Sequence, residues 1–137
     1  MAHWRYFGIA HKHLYRLSGG RLGTRMGWID VALVETTGRK SGKTRTTPLA
    51  CYPWKGSVAV SASNNGQEYH PAWFLNLQAN PEVAVQTGKE RFKAIAEEVL
   101  GEDKEKLWQI VTDINKHQTE YRATTERDIP LVYFRKI

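Results

Sequence analysis

The tightest constraint on this chain is a series of short β-prone segments separated by glycine-bearing turns. Residues 29–36 (IDVALVET), 46–52 (TTPLACY) and 57–63 (SVAVSAS) each have the length and the branched or small side chains of a strand. Trp54, Lys55 and Gly56 join the second to the third in a turn that suits an antiparallel hairpin. Residues 82–87 and 90–100 repeat the pattern across Gly88 and Lys89, and residues 130–136 (PLVYFRK) add a last strand. Pro48 cannot donate to a ladder, so its strand belongs at an edge or a bulge. The βαβ alternation of a doubly wound nucleotide fold is absent.

Three helices fit around these strands. Over residues 3–17, Trp4, Phe7, Ala10, Leu14 and Leu17 recur on one side, with Arg5, Lys12 and Arg16 on the other. Ser18, Gly19 and Gly20 end that helix, and residues 21–28 read as a basic loop. Pro71 opens a short helix that Asn80 and Pro81 stop. Residues 102–114 form an amphipathic helix with acidic residues in its first turn, as the helix dipole favours. The expectation is a mainly β, α+β chain: an antiparallel barrel of about six strands with helices packed outside. Residues 1–28 form a leader, and 29–137 a single barrel domain.

A 137-residue chain with 41% hydrophobic residues and 15 aromatics can build one packed core. One cysteine, Cys51, excludes a disulfide framework and a cysteine-based zinc site. Its apolar surroundings read as those of a buried structural thiol. His11 and His13, two apart on a helix, do not share a face, so no metal site is expected. No apolar run approaches the ~20 residues of a membrane span. Charges and histidines interrupt residues 1–17, so no secretory leader is expected and the expected compartment is the cytoplasm.

Charge is distributed unevenly. Residues 1–50 hold nine Lys and Arg against two acidic residues; the remainder holds eleven against twelve. Such a block expects an anionic partner. Its densest part is residues 36–45 (TTGRKSGKTR), with four cations, four hydroxyls and two glycines between two strands. Glycines let backbone N–H groups turn toward a ligand, hydroxyls donate, and Arg supplies a bidentate fork for phosphate or carboxylate. A turn that merely keeps an edge soluble needs fewer charges. No Walker loop or GxGxxG is present. A second group, Ser61, Ala62, Ser63 and Asn64 followed by His70, Pro71, Ala72 and Trp73, has small residues that admit a flat ring and free N–H groups at a helix start. The nucleophile elbow GxSxG is missing. No nucleic-acid module is recognised, and no nucleic-acid partner is expected.

Taken together, TTGRKSG (36–42), RTTPL (45–49), SASN (61–64), HPAWFLNLQANP (70–81) and DIP (128–130) resemble the deazaflavin-dependent nitroreductase family, over residues 3–137. These are split β-barrel, FMN-binding-protein-like enzymes of actinobacteria that use coenzyme F-420. The resemblance implies that the basic turn, through Arg39, Lys40, Ser41 and Arg45, holds the phosphate and acidic tail of the cofactor. It implies a deazaflavin ring along Ser61, Ala62, Ser63, Asn64, Ala72 and Trp73, with Asn76 close by. It also implies Ser63 and Tyr121 near the reacting substrate as catalytic hydroxyls. One family tyrosine, three positions before the Tyr121 match, is Gln118 here.

The implied activity is hydride transfer from the reduced deazaflavin to an electron-poor acceptor: a quinone, an enone or lactone, or a nitroaromatic. The alternative within the fold is a barrel loaded with FMN, haem or a fatty acid. The helix over 3–17 is expected to cap the barrel, with weak contact at a membrane surface as a second role.

Overall fold

A computed structural model describes residues 21–24 and 27–137, with side chains from Ile29 onward. The helix expected over residues 3–17, and any membrane contact it makes, lie outside the described residues.

Eight strands form one antiparallel sheet. They are β1 (Arg21–Thr24), β2 (Gly27–Thr37), β3 (Thr44–Ala50), β4 (Tyr52–Trp54), β5 (Ser57–Ser61), β6 (Glu82–Thr87), β7 (Glu90–Val99) and β8 (Leu131–Lys136). Their order is β1-β2-β6-β7-β8-β5-β4, with β3 also on β2. Three α-helices, α1 (Ala72–Ala79), α2 (Gly101–Ile114) and α3 (His117–Thr124), and a short 3-10 turn at Asn64–Gly66 complete the elements of the described residues.

Two expectations need correction, and one helix was not expected. Residues 21–28 are not a loop: Arg21↔Asp30 through Thr24↔Gly27 pair as a ladder. The free edge of β2 recruits them despite poor local propensity. The strand expected over 46–52 is two strands. β3 pairs with β2, whereas β4 pairs with β5, and between them the Cys51 N–H donates to Asp30 O at 2.9 Å. The polar stretch from 117 to 124 is helical, although it lacks an apolar stripe; Gln118 is its buried residue.

Other local readings hold. Pro48 lies in β3, which pairs only with β2, so the missing N–H faces an unpaired edge. Lys55 (φ 48°) and Gly56 (φ 75°) form the two-residue hairpin between β4 and β5. Both positive angles suit the right-handed twist of the flanking strands.

The period-two alternation of β5 and β8 sorts their side chains between two cores. Val60, Val132 and Phe134 point into the barrel with Val34, Val85, Phe74 and Leu77. Ala59 and Leu131 face the other way, onto Leu107, Trp108 and Val111 of α2. Lys104, Leu107, Trp108 and Val111 are the buried positions of α2, at helical spacing. Burying Phe134 and Leu131 on opposite faces of one strand contributes roughly 1.5–3 kcal/mol each. The barrel thus holds the ends of β3 and β5 and the start of α1 on one rim.

Candidate functional site

The turn between β2 and β3 is closed by its own backbone. Gly38 N–H donates to Lys43 O at 2.8 Å, and Gly42 N–H donates to Gly38 O at 2.9 Å. A Cβ on Gly38 would stand 2.7 Å from Ser41 Oγ, so the close approach of that hydroxyl requires glycine. Ser41 Oγ accepts from the Lys43 N–H at 3.2 Å.

Asn76 ties this turn to α1. Its Oδ1 accepts from Arg39 N at 3.2 Å and from Arg39 Nη1 at 2.8 Å. Asn76 is buried, so its carbonyl is committed to holding the turn. Lys40, Lys43 and Arg45 are exposed and form no ion pair among the described residues. Gly38, Arg39, Lys40, Ser41, Arg45, Ala72 and Asn76 line a cleft of about 240 Å³.

Across the start of α1 lies a second cleft of about 290 Å³. Pro48, Leu49, Ala50 and Tyr52 form one wall; Ser61, Ser63, Asn64, Asn65, Pro71, Trp73 and Gln118 form the rest. The two clefts flank consecutive residues of one segment, with Pro71 and Trp73 on one and Ala72 on the other. No side chain caps the N-terminus of α1. Asn64 (φ 48°) and Asn65 (φ 56°) turn the chain sharply after β5, in a conformation that Asn tolerates better than most residues.

Of the residues singled out from the sequence, Arg39, Lys40, Ser41, Arg45, Ser61, Ser63, Asn64, Ala72, Trp73 and Asn76 line these two clefts. Ala62 is fully buried beneath, and its N–H donates to Pro130 O at 2.9 Å. Tyr121 lies outside the lining. It packs against Gly66, where an added Cβ would meet its Cδ1 at 3.3 Å, and stacks on His117 with centroids 6.4 Å apart.

Arg127 escaped the sequence reading, and Gln118 entered it only as the residue in place of a family tyrosine. Gln118 is buried and lines the second cleft, accepting from Ser61 Oγ at 2.9 Å. Arg127 spreads its guanidinium beneath the loop after β5. Nη2 donates to Ala62 O at 3.0 Å and Ser63 O at 2.8 Å, Nε donates to Gln67 O at 2.8 Å, and Nη1 lies 2.9 Å from His70 Nδ1. Arg127 sits in no apolar or glycine-marked motif, so no local signal announced it.

Electrostatics limit the chemistry. Burial, then the Asp30 charge, push the Cys51 thiol up to about 12. Burial also pushes the Tyr52 hydroxyl up to about 12, against the hydrogen bond that Asn115 Nδ2 donates to it. Neither is a nucleophile at neutral pH. Burial, then the Arg127 charge, lower His70 from 6.5, with Glu98 opposing. A neutral His70 thus accepts from Arg127. A larger depression of about 560 Å³ lies elsewhere, against Glu35, Glu82 and Lys93. It lacks the cationic turn, and volume alone does not make a site.

The closed turn, the two neighbouring clefts and the antiparallel sheet define a split β-barrel of the flavin-binding-protein type. A haem-binding protein from Mycobacterium smegmatis superposes with a TM-score of 0.61 at 14% identity, covering 77% of this chain and 46% of that one, a likeness of fold alone. The chain belongs to the F420H(2)-dependent quinone reductase family, whose model matches residues 9–135. It is 37% identical over 126 residues to an F420H(2)-dependent quinone reductase of Mycobacterium tuberculosis, covering 89% of this chain and 85% of that protein. A solved F420-H2 dependent reductase (FDR-A) superposes with a TM-score of 0.71 at 37% identity, covering 76% of this chain and 92% of that one.

Proposed function

We propose that this chain is a reductase that binds reduced coenzyme F-420 across the two neighbouring clefts and passes a hydride to a quinone. The observation that carries the reading is that the two clefts flank consecutive residues, Pro71, Ala72 and Trp73, at the start of α1. Unpaired Lys40 and Arg45 stand at one end, and a small-residue cleft backed by Trp73 lies at the other. The donor set fits the group. Arg, Lys and Ser on an open turn suit a phosphate and carboxylate tail, and Ser61, Ser63 and Asn64 leave room for a flat ring. The names of the relatives specify reduced F-420, which favours the deazaflavin over FMN.

When bound, the reduced deazaflavin supplies the hydride. The chain's own groups do the rest. Asn76 holds Arg39 and hence the turn. Lys40 and Arg45 attract the anionic tail. Pro48, Leu49 and Trp73 exclude water from one side of the second cleft, and Ser63 offers a hydroxyl to the acceptor. Tyr121 supports the loop at Gly66, one turn away. A quinone that receives the hydride gains two electrons and takes its remaining proton from solvent. Enones, lactones and nitroaromatics share the same electron demand and are further candidate acceptors.

Titration of the protein with F-420, followed by fluorescence, tests the reading alongside an FMN titration. Lys40→Ala and Arg45→Ala should each weaken binding by about 1.5–3 kcal/mol, the size of a hydrogen bond to a charged group. Unchanged affinity in both variants, or tight FMN binding without F-420 binding, refutes it.

A further inference from the structure

Polar groups that line the second cleft fall into two sets. Tyr52 OH already accepts from Asn115 Nδ2, and Asn64 Nδ2 is spent on Tyr69 O and Gln67 Oε1. Ser63 Oγ and Gln118 Nε2 have no hydrogen-bond partner among the described residues, although their residues are 5% and 6% exposed. Among the described residues, the buried side-chain polar atom without a partner is Thr36 Oγ1. Ser63 Oγ and Gln118 Nε2 are therefore not sealed inside the protein. They open onto the cleft that both residues line.

Nearly buried donors kept without a protein partner are costly unless something accepts from them. Ser61 makes Gln118 the better defined of the two. Its hydroxyl donates to Gln118 Oε1 at 2.9 Å, which holds the carbonyl end of the amide and turns the NH2 end outward. Hydroxyl protons rotate freely, whereas an amide held at its oxygen has a set direction.

We propose that Gln118 is the residue that recognises the acceptor, its Nε2–H donating to a carbonyl oxygen of a bound quinone, with Ser61 as the positioning residue behind it. This rests on the quinone reductase reading above. As the acceptor gains a hydride, negative charge grows on that oxygen, and a fixed donor stabilises it. An amide has no proton to give at neutral pH, so the oxygen is protonated by water. The site therefore suits acceptors whose reduced anion is already stable, which quinones are. It ranks simple enones below quinones, because their enolates depend more on an acid.

The test uses the full chain with 2-methyl-1,4-naphthoquinone as acceptor. Gln118→Leu removes the donor. Gln118→Glu keeps the size and the Ser61 bond but puts a carboxylate oxygen where the N–H stood, and covers the case in which the Leu variant misfolds. Both should lower kcat/KM for the quinone by about 10- to 100-fold at saturating F-420. Ser61→Ala should give a smaller loss.

Infrared difference spectra of the carbonyl-labelled quinone, bound to protein carrying oxidised F-420, provide a readout that packing alone does not move. The carbonyl stretch should be lowered in the wild type and return toward its free value in both Gln118 variants. Unchanged kcat/KM and an unchanged stretch in both variants overturn the proposal while leaving the reductase reading intact. A wild-type protein that binds no F-420, or does not oxidise its reduced form with the quinone, overturns both.

Discussion

Arg127 is the residue whose loss the loop after β5 should feel most. Its guanidinium holds the carbonyls of Ala62, Ser63 and Gln67 together with His70 Nδ1, across 57 to 65 residues of sequence. Ala62 and Ser63 are buried, so water cannot freely replace the lost donors. Ser63 O keeps the Gly66 N–H at 2.9 Å, so the Ala62 carbonyl bears most of the penalty. An orphaned buried acceptor costs about 1–3 kcal/mol, and the remaining bonds add about 1 kcal/mol after allowance for their exposure. Arg127→Met should therefore destabilise the fold by about 3 kcal/mol, a large share of the 5–15 kcal/mol typical of a domain. Urea unfolding followed by tryptophan fluorescence measures it, and the melting temperature should fall by roughly 10 °C. Arg127→Lys should recover only part, because an ammonium cannot serve as a fixed planar fork. A loss below about 1 kcal/mol for the Met variant would show that the loop holds itself, and would refute the reasoning.

Three further outcomes follow from the same structure. His70 accepts from Arg127 only when neutral, and its pKa is lowered in the fold by burial and then by the Arg127 charge. Its contribution is present above the unfolded value near 6.5 and is lost as pH falls through the lowered folded value, so the urea midpoint should drop on the acid side and drop less in His70→Asn. Cys51, buried and with a pKa pushed up to about 12, should react with iodoacetamide at pH 8 only as fast as the protein unfolds; rapid labelling of the native protein contradicts its burial. Lys104 Nζ lies 3.0 Å from both Asp128 oxygens, but that carboxylate is 88% exposed. Lys104→Met keeps the packed stem and should cost at most about 1 kcal/mol by chemical denaturation; a larger loss would mean a stronger ion pair than its solvent exposure allows.

Much of the barrel was legible because its signals are local. Residues 82–87 are β6 as expected, β7 ends one residue earlier than expected, and α2 begins one residue earlier. Each rests on a period that neighbouring side chains enforce. The edge position of β3 followed from Pro48 alone. In contrast, β1 and α3 carry no apolar period; a free strand edge supports the first, and contacts with the loop after β5 and with α2 support the second.

The site divides in the same way. The anion turn was readable because its cations, hydroxyls and glycines are consecutive, and a turn between two strands keeps consecutive residues together. Which partner each polar group would take was not readable. Arg39 meets Asn76 across 37 residues, Ser61 meets Gln118 across 57, and Arg127 meets Ser63 across 64. Those meetings exist only once β5 pairs with β8 and α2 and α3 pack back across the rim. The sequence by itself therefore determined a turn dense in cations, hydroxyls and glycines, and a run of small residues ahead of a helix start. Closure of the barrel decided which polar groups are already satisfied and which, the Gln118 amide nitrogen among them, open onto a cleft. A hydrogen bond is set by direction and distance in space, and only tertiary packing supplies those.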